Sequence, residues 1–589
     1  MDDSDYLIND AVRMYEANDK DKALQLLEKA RKKYPNNANI ENTLAIFFLK
    51  EDEKIRGIEH LKLCINQDPL FYSSYLLLGE LLLEQGILEE AIYYTNKFTE
   101  ISPEPEKGYF LRGKINQALE YHQKAVEDFE IVIAFEPRNT MAYFLHAVNL
   151  SKGGDDDMAC LSYKKVLSME PSHAEAHCNL GVIKEKNNKI EQAIEHYNEA
   201  LSYRPNFPEA LDNRGLAFQR LNLFKEAIDD HLEAIQQSPE LKEAHVNLGN
   251  AYRSVYKFQE AIQSFLSAIA IDSNFAPAYW NKSLAFLAIG ELERGFKLYE
   301  WRWERGDLKK IKRKLDKPLW LGDFDIQGKT ILIYYEQGLG DSIQFSRYIN
   351  FFKNMNVQVF FEVQPQLQKL FERTFDVKII STKDSCFSFD IHCPIMSLPL
   401  CFKTSLNTIP CKDKYLFADE KKVLFWKNYL KKNTNTKVGI VWSGNSVHPK
   451  DFSRSIKLEN FLTGLPRGRH HFFSLQKDVR YEDQKTLSQL DDVKNFGMHL
   501  EDFTDTAAIA SNMDLVVTVD TSIAHLCGAL GIKTWILLSH DSDWRWLINR
   551  TDSPWYSSVR LFRQAENGDW NNVLLQLKTE LSKFFDESI

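Results

Sequence analysis

Small residues recur every 34 positions through the first half of this 589-residue chain, at Ala11, Ala45, Gly79, Gly113, Ala147, Gly181, Gly215, Gly249 and Ser283. Twelve residues further on a second column reads Ala23, Gly57, Ala91, Ala125, Ala159, Ala193, Ala227, Ala261 and Gly295. A third holds Pro35, Pro69, Pro103, Pro137, Pro171, Pro205 and Pro239. No insertion or deletion breaks the phase. Each unit must therefore fold the same way and meet its neighbours the same way, which predicts a solenoid rather than a closed core.

Residue size says what the unit is. Only Gly, Ala or Ser fits where paired helices approach closely, and proline ends a helix because it lacks the N–H that the next turn needs. Bulky residues fill the complementary columns: Tyr75, Tyr109, Tyr143, His177, Leu211, His245 and Tyr279 in one, Phe129, Tyr163, Tyr197, His231, Phe265 and Tyr299 in the other. The unit resembles the tetratricopeptide repeat, which implies two antiparallel helices per repeat stacked into a right-handed superhelix. Nine such repeats fit residues 4–309. The last departs from the pattern, with Ser273 and Asp307 in the proline column and Arg302 in a small one. It reads as a modified end that docks onto the second half of the chain.

Solenoids of this kind offer extended binding surfaces. Asn179, Asn213, Asn247 and Asn281 each lie two residues before the small residue of the first helix. A ladder of amides can donate to and accept from the backbone of an extended chain without reading its side chains. This column resembles the asparagine ladder of nucleocytoplasmic protein O-GlcNAc transferases, and it makes these four residues candidate acceptor-binding groups. A solvated polar column inherited with the repeat is the alternative. Leu77, Leu111 and Leu145 stand at the earlier equivalents, so a ladder would cover only the later repeats.

Past residue 310 the period changes. Short apolar runs at 330–335, 357–363, 377–380, 389–392, 437–442, 471–475, 514–519 and 534–538 alternate with helical stretches, including 342–353, 458–462, 505–511 and 523–530. That alternation predicts parallel α/β sheets. A polar helical stretch at 420–432 divides the strands into two clusters. The expected architecture is a junction at 310–325, a Rossmann-like half at 326–432 and a second, ligand-binding half with a closing helix at 433–589.

Ligands of such sheets sit at the carboxyl ends of strands, near helix N-termini. Two loops occupy that place. In Glu336-Gln337-Gly338-Leu339-Gly340-Asp341-Ser342 the glycines permit a tight turn and close backbone approach, and Asp341 opens a helix, either as a cleft-facing group or as its N-cap. In Val519-Asp520-Thr521-Ser522-Ile523-Ala524-His525 a buried strand delivers Asp520, and the helix beginning near Ser522 presents backbone N–H groups suited to a diphosphate. Asp520, Ser522 and His525 do not read as a hydrolase triad, because three residues on one local turn are poorly placed for a relay.

The segments GLGDSIQF, VGIVWSGN, RSIKL, SLQK, DTSIAHLCGALG, DWRWL and DSPWY occur in that order over residues 320–570. Together they resemble the lipopolysaccharide heptosyltransferases, and more closely the bacterial proteins that fuse tetratricopeptide repeats to such a domain, among them flagellin-modifying glycosyltransferases. The resemblance implies a GT-B fold with two Rossmann-like halves, a nucleotide-sugar donor, no cofactor and no metal. It makes Asp341 the base and Arg454 the basic partner of the leaving diphosphate, with Lys450 as a substitute. It places Gly338, Gly340, Asp520, Thr521, Ser522 and His525 around the donor, with Gln476 and Lys477 reaching its nucleotide. The acceptor it implies is a Ser or Thr hydroxyl of flagellin or another surface protein held by the repeats. A glycolipid or polysaccharide transferase and a non-catalytic nucleotide-binding scaffold are the competing readings.

Other features bound the function. A net charge of −10 argues against nucleic acid or an anionic membrane as a partner of the whole chain, and leaves room for a local basic groove. No apolar run approaches the ~18 residues that span a bilayer, and the acidic start Met1-Asp2-Asp3-Ser4-Asp5 lacks the chemistry of a secretory signal. Eight cysteines without a CxxC pair suggest a reduced, cytoplasmic setting, and Cys386, Cys393, Cys401 and Cys411 with His392 match no usual zinc spacing. Trp301, Trp303, Trp320, Trp544 and Trp546 are expected to pack the junction rather than stack on sugars.

Overall fold

The computed structural model describes residues 3–381, 388–410, 412–431, 436–448, 451–466 and 471–586. Lys450, Cys386 and Cys411 therefore lie outside the described residues. The chain divides into two units, residues 1–221 and 222–589.

The first unit is helical throughout, from Asp3–Glu16 to Pro208–Arg220, every helix being 13 or 14 residues long. The small columns sit where bulky residues cross. A Cβ on Gly181 would come within 2.5 Å of the Tyr197 ring, and one on Gly113 within 2.8 Å of Phe129, so a larger residue there would have to push the paired helix away. The turn between the two helices of each repeat carries a further periodic feature that residue size does not reveal. Positive φ angles occur at Asn18, Asp52, Gly86, Glu120, Gly154 and Asn188. The series continues in the second unit at Asn222, Tyr256 and Gly290, marking nine turns at the same 34-residue spacing.

The second unit begins with the remaining solenoid helices, Phe224–Gln237, Lys242–Ser254, Phe258–Ile271, Ala276–Ala288 and Leu292–Tyr299. The last is cut to 8 residues and runs into a 3-10 turn at Glu300–Glu304. Arg302 of that turn is wholly buried, where Ala200, Ala234 and Ala268 hold the equivalent place in the preceding repeats. Its guanidinium holds Glu336 through Nε–Oε2 at 2.7 Å and Nη2–Oε1 at 3.0 Å, and also donates to Ser397 Oγ at 2.8 Å and Glu300 Oε1 at 2.7 Å.

An α/β region with two parallel sheets comes next. β1 (Thr330–Tyr334), β2 (Gln358–Glu362), β3 (Lys378–Ile380) and β4 (Ile391–Pro394) form a four-stranded sheet in the order β3-β2-β1-β4. β5 (Lys437–Val441), β6 (His471–Ser474), β7 (Val493–Asn495), β8 (Leu515–Val519), β9 (Thr534–Leu538) and β10 (Val559–Arg563) form a six-stranded sheet in the order β10-β9-β8-β5-β6-β7. Among the described residues every pairing of these strands is parallel. β7 and β10 were not expected from sequence. β7 has only three residues and β10 carries Arg560 and Arg563, so neither makes an apolar run. The helix expected at 342–353 begins earlier, at Leu339, ends at Phe345 and continues as a 3-10 segment, Ser346–Asn354. One apolar core joins the last repeat (Leu292, Phe296, Tyr299) to the four-stranded sheet (Ile331, Ile333) and to β9 and β10 (Ile536, Leu561). Trp320, Trp544 and Trp546 are buried in it, whereas Trp301 stacks on Tyr279 with ring centroids 4.0 Å apart.

Candidate functional site

The two loops singled out in sequence meet. β1 leads into Glu336–Asp341 and β8 into Asp520–Ser522, each at the carboxyl edge of its sheet. A Cβ on Gly340 would lie 2.9 Å from His525 Cδ2 and 3.6 Å from Ser522 Cα, so a glycine is needed for the loops to approach this closely. Thr521 caps the second helix, Ser522–Ala529, its Oγ1 accepting from Ile523 N at 3.3 Å.

Asp341 stands at the third position of the Leu339–Phe345 helix rather than at its cap. Its Oδ2 reaches back to accept from Gly338 N at 2.8 Å. Its Oδ1 accepts from Arg545 Nη2 at 2.5 Å. Burial raises the Asp341 carboxyl above the usual carboxylate range, and Arg545 opposes that rise. Arg545 is itself fixed by Gln344 Oε1 at 2.8 Å and Asp543 Oδ1 at 2.7 Å, with the Trp544 ring 4.4 Å from its guanidinium carbon. Arg545 and Asp543 belong to the DWRWL segment, where they alternate with its two tryptophans.

The Asp520 carboxyl is pushed up to about 6 by burial and by the neighbouring Asp543 charge, against the Trp546 indole, Arg454 and Arg545. Arg454 Nη1 donates to Asp520 O at 3.0 Å, which brings the RSIKL arginine onto the β8 loop. Its guanidinium crosses Gly444, where a Cβ would fall 2.7 Å from Nη2. Arg480, which sequence reasoning missed, donates to Asp451 and, at 3.0 Å, to Ser455 Oγ, and so braces the segment that carries Arg454. His448 also senses this cluster. Burial and Arg454 lower its pKa, while Asp543, Asp451 and Asp341 act in the other direction.

His525 is held neutral, its pKa brought down to about 3 by burial and by Arg545. Its Nδ1 pairs with Tyr556 OH at 3.0 Å and its ring stacks on Trp546 at 5.2 Å. Neither partner is Asp520 or Ser522, in keeping with the rejected triad. Gln476 ties β5 to β6, its amide bonding Ser443 N at 3.2 Å and Ser443 O at 3.0 Å. Lys477 donates to Glu501 O at 2.8 Å. These two residues are thus engaged with the protein, and those bonds do not bring them to Asp341 or Asp520.

Among the described residues several buried donors of this region have no hydrogen-bond partner: Ser342 Oγ and Gln344 Nε2 beside the first loop, and Ser443 Oγ and Arg454 Nε beside the second. Buried polar groups are normally satisfied, so a cluster of unsatisfied donors is suited to an acceptor-rich ligand.

The asparagines are partly engaged already. Asn179 Nδ2 donates to Tyr163 OH at 3.1 Å, Asn213 Nδ2 to Cys178 Sγ at 3.7 Å, and Asn281 Nδ2 to Pro277 O at 2.9 Å. Asn247 also has a protein interaction. Among the described residues no group of three His, Cys, Asp or Glu side chains could hold a metal ion, and no helix is long and apolar enough to cross a membrane. Cys393 and Cys401 face each other with sulfurs 3.8 Å apart.

Tetratricopeptide-repeat family models match residues 13–37, 174–207 and 244–276. The chain therefore carries tetratricopeptide repeats and, after them, an α/β region with parallel sheets. Protein FlbA of Caulobacter vibrioides is 24% identical over 329 residues, 51% of this chain and 54% of FlbA. The UDP-N-acetylglucosamine–peptide N-acetylglucosaminyltransferase of Giardia intestinalis is 30% identical over 102 residues, 17% of this chain and 7% of that enzyme. The match thus spans about half of FlbA and a small part of the Giardia enzyme. Among solved structures, YrrB, described as a repeat protein with an unusual peptide-binding site, aligns at 21% identity and a TM-score of 0.30, covering 31% of this chain and 95% of YrrB.

Proposed function

We propose that the chain is a glycosyltransferase of GT-B type, similar to the heptosyltransferases, that moves a sugar from a nucleotide-sugar donor to a Ser or Thr hydroxyl of a protein held by the repeats. The observation that carries this reading is the convergence of the β1 and β8 loops through Gly340 and His525, which brings Asp341 and Asp520 to one cluster of arginines and unsatisfied donors. The partial likeness to a peptide N-acetylglucosaminyltransferase agrees with it.

In this reading the acceptor oxygen attacks the anomeric carbon, the bond from that carbon to the diphosphate oxygen breaks, and Asp341 takes the acceptor's proton. Arg545 opposes the rise that burial imposes on the Asp341 carboxyl and so favours the ionised form a base requires. Charge develops on the departing diphosphate, where Arg454 and the N-terminus of the Ser522–Ala529 helix stabilise it. Asp520 lies beside the donor sugar and neutral His525 shapes the same wall. Gln476 acts indirectly, by fixing Ser443 and the loop that Arg454 crosses. The acceptor is flagellin or another surface protein, its backbone read by Asn179, Asn213, Asn247 and Asn281.

The test has two arms. A thermal-shift screen of nucleoside diphosphates and nucleotide sugars should reveal one base that stabilises the chain, since a ligand of the native state raises its stability. Transfer assays with that donor should then show sugar incorporation into protein. No stabilisation by any nucleotide sugar would remove the reading. Substitution of Asn213 and Asn247 should lower transfer to protein but leave transfer to small acceptors unchanged.

A further inference from the structure

The helix Glu420–Leu430 precedes the six-stranded sheet and has two unlike faces. Its inner face is anchored. Trp426 and Leu430 are buried, the Trp426 ring lies 5.1 Å from Phe496, and Lys422 donates to Thr504 Oγ1 and Asp505 Oδ1, both at 2.6 Å. The outer face is apolar where a soluble surface is normally polar. Leu424 is 58% exposed, Phe425 62% and Tyr429 58%, and Phe417 just before the helix is 52% exposed. A helix of 100° per residue places Leu424, Lys421 and Phe425 on one outward arc, with Tyr429 on one flank and Lys427 and Lys431 on the other.

Charge says what such a face meets. Lys421, Lys427 and Lys431 are exposed, and among the described residues no carboxylate lies within ion-pair distance of them. Of the other charges of this helix, Lys422 is paired with Asp505 and the capping Asp419 with Arg373 at 2.9 Å, while Glu420 is exposed in the first turn, one carboxylate against three lysines. Lys414 adds a further cation, its ammonium 4.9 Å from the centre of the Phe417 ring. A chain of net charge −10 thus concentrates cations around one exposed aromatic and aliphatic face. An acidic protein surface would satisfy the lysines but not take up three large apolar side chains on a convex helix. An anionic bilayer satisfies both, because headgroups meet the ammonium groups while the rings enter the boundary of the acyl chains.

We propose that the outer face of the Glu420–Leu430 helix docks the chain onto a bilayer rich in anionic lipid. This does not depend on the glycosyl-transfer reading. The experiment is cosedimentation of the full chain with vesicles of equal parts phosphatidylglycerol and phosphatidylcholine, against vesicles of phosphatidylcholine alone. Binding to the mixed vesicles, lost in high salt and absent with the neutral ones, is expected. Leu424→Ser with Phe425→Ser, and separately Lys421→Glu with Lys427→Glu, should each lower the bound fraction about tenfold while the thermal unfolding curve stays unchanged. Wild-type chain that ignores anionic vesicles overturns the proposal, as does binding that survives both pairs of substitutions. Self-association in ultracentrifugation that Phe425→Ser abolishes would assign the face to a second copy and overturn it equally.

Discussion

At the scale of single residues, the charges around Asp341 and Asp520 decide how the site responds to substitution and pH. Asp341→Asn should lower transfer by about a hundredfold or more while nucleotide binding persists in calorimetry, because only the proton acceptor is lost. Arg545→Met should behave differently. It leaves Asp341 partly buried without its cation and is expected to cost about 3–5 kcal/mol in denaturant unfolding, most of which Asp341→Asn in the same chain should restore. Asp520 supplies a pH dependence. Its folded pKa of about 6 lies above that of the unfolded chain, so the folded state binds the extra proton. The resulting stabilisation is full below about pH 4 and is lost as pH rises through 6. Relative to Asp520→Asn, the wild type should therefore lose stability over that interval. A nucleotide sugar, whose pyrophosphate does not titrate there, should bind more weakly above pH about 6 to the wild type and with a flatter profile to the variant.

At the scale of elements, the nine intra-repeat turns require left-handed backbone at positions occupied by several residue types. Gly, Asn and Asp take that conformation at low cost, whereas Glu120 and Tyr256 do not. Glu120→Gly should raise stability by up to about 1 kcal/mol in thermal unfolding, since the turn keeps its φ and loses its steric penalty. Gly340→Ala should do the reverse. Its methyl group meets His525 at 2.9 Å, so the β1 loop must retreat from the β8 helix, costing about 1–3 kcal/mol and weakening nucleotide binding together. The repeat helices and most strands were legible because their periods, 34 residues and short apolar runs, are local properties. The turn column was not legible, because Asn, Asp, Gly, Glu and Tyr share a backbone angle and not a chemistry. β7 and β10 were missed for a related reason: three residues carry no period, and two arginines within five residues interrupt the apolar run of an edge strand.

At the scale of the whole molecule, the second unit shows a repeat array ending inside the core of an α/β region. Arg302 replaces a small residue of the repeat and spends its guanidinium on Glu336, Glu300, Ser397 and the Tyr299 carbonyl. Glu336 immediately precedes the Gln337–Gly340 turn, so the last repeat grips the base of the loop that carries Asp341. Arg302→Ala would leave Glu336, with a side chain 3% exposed, without its cation, and about 3–5 kcal/mol of destabilisation is expected. Hydrogen exchange should show the loss at Leu292–Tyr299 and at β1 together, since one apolar core holds both.

The amino-acid sequence by itself determined the solenoid and its 34-residue period, the parallel α/β character of the second half and the two loops of interest. Each of these rests on spacing along the chain, and spacing survives without coordinates. Only the tertiary structure decided that Asp341 is paired to Arg545, that Asp520 shares its surroundings with Asp543, that Gln476 serves a loop, and that one face of the Glu420–Leu430 helix is left bare. Those are matters of which charge and which surface come to lie beside which. Residues some two hundred positions apart become neighbours only when the sheets close, and burial then sets what their charges cost.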